Sequence, residues 1–260
     1  MTKIRQLYFS ANHKTKEIVE YISSHFEDEL VTYDLLRNPL DKPLVIDNSD
    51  LVIVGMPVYS GRIPAHYVEM LKQLQGNNTP TIIVVTYGNR EYEDALLELR
   101  DVMESRHFTI LSAGAFIAQH SIFKSVASKR PDIEDKKLLK EFALQSKKLY
   151  QAYNPENKTS ILVKGNTPYR VVGKGTMYPT GDNRCISCNA CVDICPMQAL
   201  VSDTPKETNT ERCISCTACI KVCPTNARQF HVPNFKEIET GFKEKNKSRK
   251  EPDMFYSTSK

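Results

Sequence analysis

All eight cysteines of this 260-residue chain fall into two copies of one spacing, Cys185-x-x-Cys188-x-x-Cys191-x-x-x-Cys195-Pro196 and Cys213-x-x-Cys216-x-x-Cys219-x-x-x-Cys223-Pro224. Three thiols separated by two residues each let a tight loop wrap three corners of a cubane, and the short segment that follows carries a fourth thiol toward a neighbouring cage. The pattern predicts two [4Fe-4S] clusters with crossed ligation: Cys185, Cys188 and Cys191 with Cys223, and Cys213, Cys216 and Cys219 with Cys195. Disulfides would need an oxidising compartment. Zinc takes only four ligands per tetrahedral site, which leaves the third close cysteine and the Cys-Pro of each repeat without a role.

The repeats also agree between the ligands, since Arg184-Cys-Ile-Ser-Cys-Asn-Ala-Cys matches Arg212-Cys-Ile-Ser-Cys-Thr-Ala-Cys. An internal duplication about a pseudo-twofold follows. Ile186, Ile194, Ile214 and Val222 are candidate walls between the clusters and water, with ordinary core packing as the alternative.

Ahead of the cysteines, strand-like and helix-like stretches alternate as they do around a parallel sheet. Ile4 to Phe9, Leu30 to Leu35, Leu51 to Val54, Thr81 to Val85 and Phe108 to Ile117 read as five strands. Helices between them are marked by Ile18, Ile22 and Phe26, by Tyr67, Met70 and Leu74, by Leu96, Leu99 and Met103, and by Leu138, Phe142 and Leu149. The expected fold class is α/β: a flavodoxin-like, doubly wound, five-stranded parallel sheet followed by a small α+β dicluster domain. In such a sheet ligands bind beyond the carboxyl ends of the strands.

Three loops at those ends have unusual compositions. Ser10-Ala11-Asn12-His13-Lys14-Thr15 opens the first helix, where backbone N–H groups and hydroxyls suit a phosphate; Ser10 or Asn12 could equally be a plain cap. Pro57-Val58-Tyr59-Ser60-Gly61 and Tyr87-Gly88-Asn89, with Tyr92 just beyond, each place a tyrosine beside a glycine, so that backbone approaches a flat ligand while a ring covers it.

Tyr8-Phe9-Ser10 with Thr15, the stretch Gly55 to Pro64 and Tyr87-Gly-Asn-Arg90 resemble the phosphate loop and the two flavin-flanking loops of flavodoxins. Together with the cysteine repeats, the chain resembles bacterial ferrodoxin-type proteins, fusions of a flavodoxin-like domain with a two-[4Fe-4S] ferredoxin domain. The resemblance implies FMN as the ligand and brings Gln119, His120 or Ser121 near it. One departure stands out: Ala11 and His13 occupy a loop where flavodoxins usually carry hydroxyls and a glycine. A side chain held in a left-handed conformation there costs about 1 to 2 kcal/mol. His13 or Lys14 could offset that by pairing with the phosphate.

The domains are expected at 1–152 for the flavin domain, 153–175 for a packed linker, 176–232 for the ferredoxin domain and 233–260 for a C-terminal extension with a basic tail. Net charge is only +4, and residues 181–230 balance five basic against five acidic side chains. The basic run Lys243, Lys245, Lys247, Arg249 and Lys250 reads as a solvated tail or as a docking patch for an acidic partner. It lacks interleaved aromatics, so nucleic acid is not an expected partner. No run of 18 apolar residues suggests a membrane span, and Lys3 to Phe9 reads as a strand rather than a leader, so a cytoplasmic protein is expected. Three functions fit: an electron carrier joining the clusters to FMN and serving redox protein partners, a flavin-dependent reductase of a small-molecule acceptor, or a redox-responsive binding protein without flavin.

Overall fold

The computed structural model describes residues 2–157, 159–173 and 175–259. Apolar β-branched runs become β1 (Lys3–Tyr8), β2 (Glu29–Asp34), β3 (Leu51–Pro57), β4 (Thr79–Tyr87) and β5 (Phe108–Ile117). All pair in parallel in the order β2-β1-β3-β4-β5. That is the flavodoxin-like winding, whose switch point between β1 and β3 opens a crevice. Every residue of β4 is buried, as its central place with helices on both faces requires.

Helices α1 (Lys14–Ser23) and α4 (Ile133–Gln151) cover one face through Ile18, Val19, Ile22, Leu139 and Phe142. On the other, α2 (Ala65–Leu71) and α3 (Ala95–Glu104) bury Tyr67, Met70, Leu71, Leu96, Leu99 and Met103. An Asp132 capping box starts α4.

Residues beyond the sheet return to it. The segment after α4 runs along α3: Asp94 accepts from the Asn166 and Arg170 backbone N–H groups at 2.8 and 2.7 Å, and Tyr169 donates to Asp101 at 2.5 Å. Two short helices, α5 (Ala190–Asp193) and α6 (Ala218–Val222), carry the cysteine repeats, and Thr180–Gly181 pairs with Arg228–Gln229 to close that unit.

The chain then forms α7 (Phe235–Lys245) and β6 (Asp253–Tyr256), an antiparallel sixth strand on the free edge of β5. Sequence patterning gives no strand there, because a four-residue stretch without alternation carries little signal until a waiting edge pairs with it. The basic run becomes part of this return. Arg249 pairs with Asp132 at 2.6 Å, Lys250 with Glu91 at 3.1 Å and Lys247 with Glu244 at 3.0 Å, so those three charges are engaged within the fold. Among the described residues no helix is long and apolar enough to cross a membrane.

Candidate functional site

Two cavities hold the chemistry. The first lies at the carboxyl ends of the strands, with an empty volume of about 430 Å³. Ala11, Asn12, Lys14 and Thr15 line it from the β1–α1 loop, Pro57, Val58 and Tyr59 from the loop after β3, and Thr86, Tyr87 and Gly88 from the end of β4. Ala118, Gln119, His120 and Ser121 complete it after β5. The three loops and the region singled out by sequence therefore converge on one space.

Other predicted residues stand just behind that lining. Ser10 is buried and its hydroxyl accepts from the Lys16 backbone N–H at 3.0 Å, fixing the start of α1. His13 is the residue before α1, held left-handed at φ 68° with no side-chain cap. Its imidazole is pushed below its usual range by desolvation and by the Lys221 ammonium on α6. Ser60 and Gly61, at φ 54° and 85°, make the tight turn that closes Tyr59 onto Arg62. A Cβ on Gly61 would stand 1.9 Å from the Glu93 carboxylate. Arg62 anchors the turn on buried Glu98 at 2.8 Å.

Asn89 donates to the carbonyls of Asn246 and Ser248 at 2.7 and 3.0 Å, and Tyr92 donates to Asp253 at 2.5 Å. Both tie the third loop to the C-terminal return, a use that sequence could not reveal because the partners lie about 160 residues away. Gly88 allows His120 to lie against it, since a Cβ there would meet the ring at 2.5 Å. The His120 Nδ1 accepts from the backbone N–H groups of Ile122 and Phe123, and its ring packs on Phe123 and on Phe242 of α7. Burial, reinforced by Arg90, pushes its pKa down to about 4, so it is neutral near pH 7. Arg90 pairs with Glu93 at 2.8 Å. His120, Tyr92 and Arg90 are thus all engaged in holding the loops.

The donor set of this cavity suits a flat ligand with an anionic tail. Lys14 and the start of α1 line it together with Tyr59 and Tyr87, and the Thr86 hydroxyl lines it fully buried with no partner. Burial holds the Tyr87 phenol neutral.

The second cavity, with an empty volume of about 350 Å³, is lined by Cys195, Cys213, Cys216 and Cys219, one thiol from the first repeat and three from the second. The loops reach this shape through left-handed residues at matching places in the two repeats: Ser187 and Ser215, Asn189 and Thr217, Gln198 and Asn226. Alternating left- and right-handed backbone turns successive N–H groups inward, a concavity suited to anions and Fe–S groups. The Ala199 and Ser215 N–H groups point at the sulfurs of Cys195 and Cys213, at 3.3 and 3.4 Å. Burial pushes the Cys216 thiol up to about 12 and Cys219 to about 11, so both stay protonated in the bare cage and ionise only against a compensating positive charge such as a metal's. Among the described residues no three His, Cys, Asp or Glu are placed to hold a single metal ion. A cubane interposes irons and sulfides between its thiolates, which calls for a wider cage.

Of the apolar walls expected from sequence, Ile214 lines this cavity, and both Ile194 and Ile214 pack on the main core. Ile186 is 65% exposed and shields nothing.

Residues 184–227 match the family model for the 4Fe-4S dicluster domain. This segment is a 4Fe-4S dicluster domain. The dicluster domain sits directly on the sheet domain, because its Cys216 and Ala218 belong to the same buried core as Phe9, Tyr67 and Leu71. A search of the curated proteins found no match. Among solved structures, similar ones include the rubredoxin oxygen:oxidoreductase of Desulfovibrio gigas, at 16% identity and TM-score 0.43 over 58% of this chain; this chain spans 36% of that protein's length. Oxidised flavodoxin 2 from Bacillus cereus, at 16% identity and TM-score 0.43, and a flavodoxin from the domain Archaea, at 15% and 0.40, are each covered over 98% of their length by 56% of this chain.

Proposed function

We propose that the chain is an electron-transfer protein in which FMN occupies the cavity at the strand ends and two [4Fe-4S] clusters occupy the dicluster domain. The ligand sets are Cys185, Cys188 and Cys191 with Cys223, and Cys213, Cys216 and Cys219 with Cys195; the grouping of the second set around one cavity supports the crossed scheme. One observation carries the relay. Tyr59 lines the flavin cavity, and its half-buried ring packs on the same buried core to which Cys216 of the neighbouring cage belongs. One packed core therefore backs both sites.

When bound, flavin exchanges one or two electrons and each cluster exchanges one, so the pair would connect one-electron protein partners to a two-electron step. The protein's part is to hold them. Lys14 and the first turn of α1 would take the phosphate, Tyr59 and Tyr87 would flank the ring system, and Thr86 would donate to it. Left-handed His13 does not line the cavity, so it takes no part in holding the phosphate.

Protein purified without oxygen tests this reading. Expected are ~8 iron per chain, a broad iron–sulfur absorption, and about one FMN released on denaturation. Iron without saturable flavin binding would remove the relay and leave a two-cluster carrier. Zinc in place of iron would overturn the proposal entirely.

A further inference from the structure

Arg228 is the largest fully buried side chain, at 1% exposure, and it lines the cavity of Cys195, Cys213, Cys216 and Cys219. Every oxygen it donates to is neutral. One terminal nitrogen donates to the carbonyls of Pro205, Lys206 and Glu207 at 2.9, 3.1 and 3.3 Å, and the other to the Pro179 carbonyl at 2.6 Å and the Thr208 hydroxyl at 2.5 Å. Among the described residues no carboxylate pairs with it, and its Nε–H is buried with no partner at all. A guanidinium out of water, without a counter-charge and with one donor unspent, is a costly arrangement unless an anion completes it.

The repeats sharpen the point. Arg228 stands five residues after Cys223, and the residue five after Cys195 is Leu200, an apolar side chain that is buried and lines the same cavity. The duplication therefore places an arginine where its twin carries a leucine. The guanidinium hydrogen-bonds the Cys219 sulfur and its charge favours the ionised forms of Cys219, Cys213 and Cys191, while the Arg228 backbone N–H bonds the Cys223 sulfur.

We propose that Arg228 is the internal counter-cation of the dicluster domain, its free Nε–H directed to the cluster held by Cys195, Cys213, Cys216 and Cys219, whose reduction it favours. The inference rests on the cluster assignment above. Four thiolates around a [4Fe-4S] core leave a net negative complex, and reduction adds one more negative charge, so a fixed cation and a hydrogen bond to sulfur both raise the potential. The apolar twin position does neither. The two clusters should consequently have unequal potentials despite near-identical ligand loops.

The test uses the anaerobic holoprotein and potentiometric titration followed by electron paramagnetic resonance, in wild type, Arg228→Lys and Arg228→Gln. Expected is at least a tenfold loss in the reduction equilibrium of one cluster in Arg228→Gln, about 59 mV for one electron, with a smaller change in the other and a near-wild-type value in Arg228→Lys. An unshifted Arg228→Gln with full iron content overturns the proposal. Should the Gln variant lose its iron, wild-type protein grown with guanidinium-15N arginine decides: pulsed resonance on the reduced clusters should detect a coupled 15N nucleus, and its absence overturns the proposal. Wild-type protein with no iron and no cluster signal would instead sink the cluster assignment itself.

Discussion

Replacing Phe242 with alanine tests whether the C-terminal return builds the flavin-facing loops. Phe242 of α7 packs on His120 at 5.0 Å and on Phe123 at 4.8 Å between ring centroids. Two such aromatic pairs contribute about 1 to 3 kcal/mol beyond area burial. The ring also helps bury His120, whose pKa is pushed down to about 4 chiefly by that burial, with Arg90 adding to the depression and Glu239 opposing it.

The sign of the linkage follows. An unfolded histidine titrates near 6.5, so between pH 6.5 and 4 the unfolded chain holds a proton that the folded one does not. Stability from this group is fully present above pH 6.5 and is lost as pH falls toward 4, at about 1.4 kcal/mol per unit and so at most about 2 kcal/mol by pH 5. The assay is histidine NMR of 13C-labelled protein from pH 8 to 5, with the His120 signal identified by its loss in His120→Gln. Wild type should show no His120 transition in that range, and Phe242→Ala should bring a midpoint above 5.5. A wild-type midpoint near 6.5 would refute the claim that α7 seals this residue.

Three further outcomes follow from the geometry. His13→Gly relieves a left-handed side chain worth about 1 to 2 kcal/mol, part of which glycine's unfolded-state entropy returns; chemical denaturation should show a net gain of about 0.5 to 1 kcal/mol. Gly61→Ala puts a Cβ 1.9 Å from the Glu93 carboxylate at φ 85°; it should destabilise by at least about 1 to 2 kcal/mol and weaken FMN binding by disordering the turn that carries Tyr59. Tyr92→Phe removes a hydrogen bond to a carboxylate worth about 1.5 to 3 kcal/mol between the third loop and β6, and limited proteolysis should then cut the C-terminal segment faster than in wild type.

The sequence alone determined the parts whose cause is local. The cysteine spacing specifies a cubane cage because thiol positions along a tight loop follow from a handful of backbone angles, and the buried runs such as Leu51–Val54 specify a central parallel strand because only a doubly covered sheet hides them. It also marked the three loops, since their tyrosines, glycines and hydroxyls are locally anomalous. It could not say which of those residues face the cavity. Asn89 and Tyr92 turn instead to Asn246, Ser248 and Asp253, and His13 does not line the cavity.

Only the tertiary structure decided what the last 28 residues do and what Arg228 is for. A four-residue strand acquires its conformation from the open edge of β5, and a charged run becomes a clasp because Asp132 and Glu91 stand opposite it. An arginine after a Cys-Pro pair reads as surface until the chain closes over it and leaves its Nε–H beside the cage. These contacts join residues far apart along the chain, and their energies depend on desolvation, which no local pattern encodes.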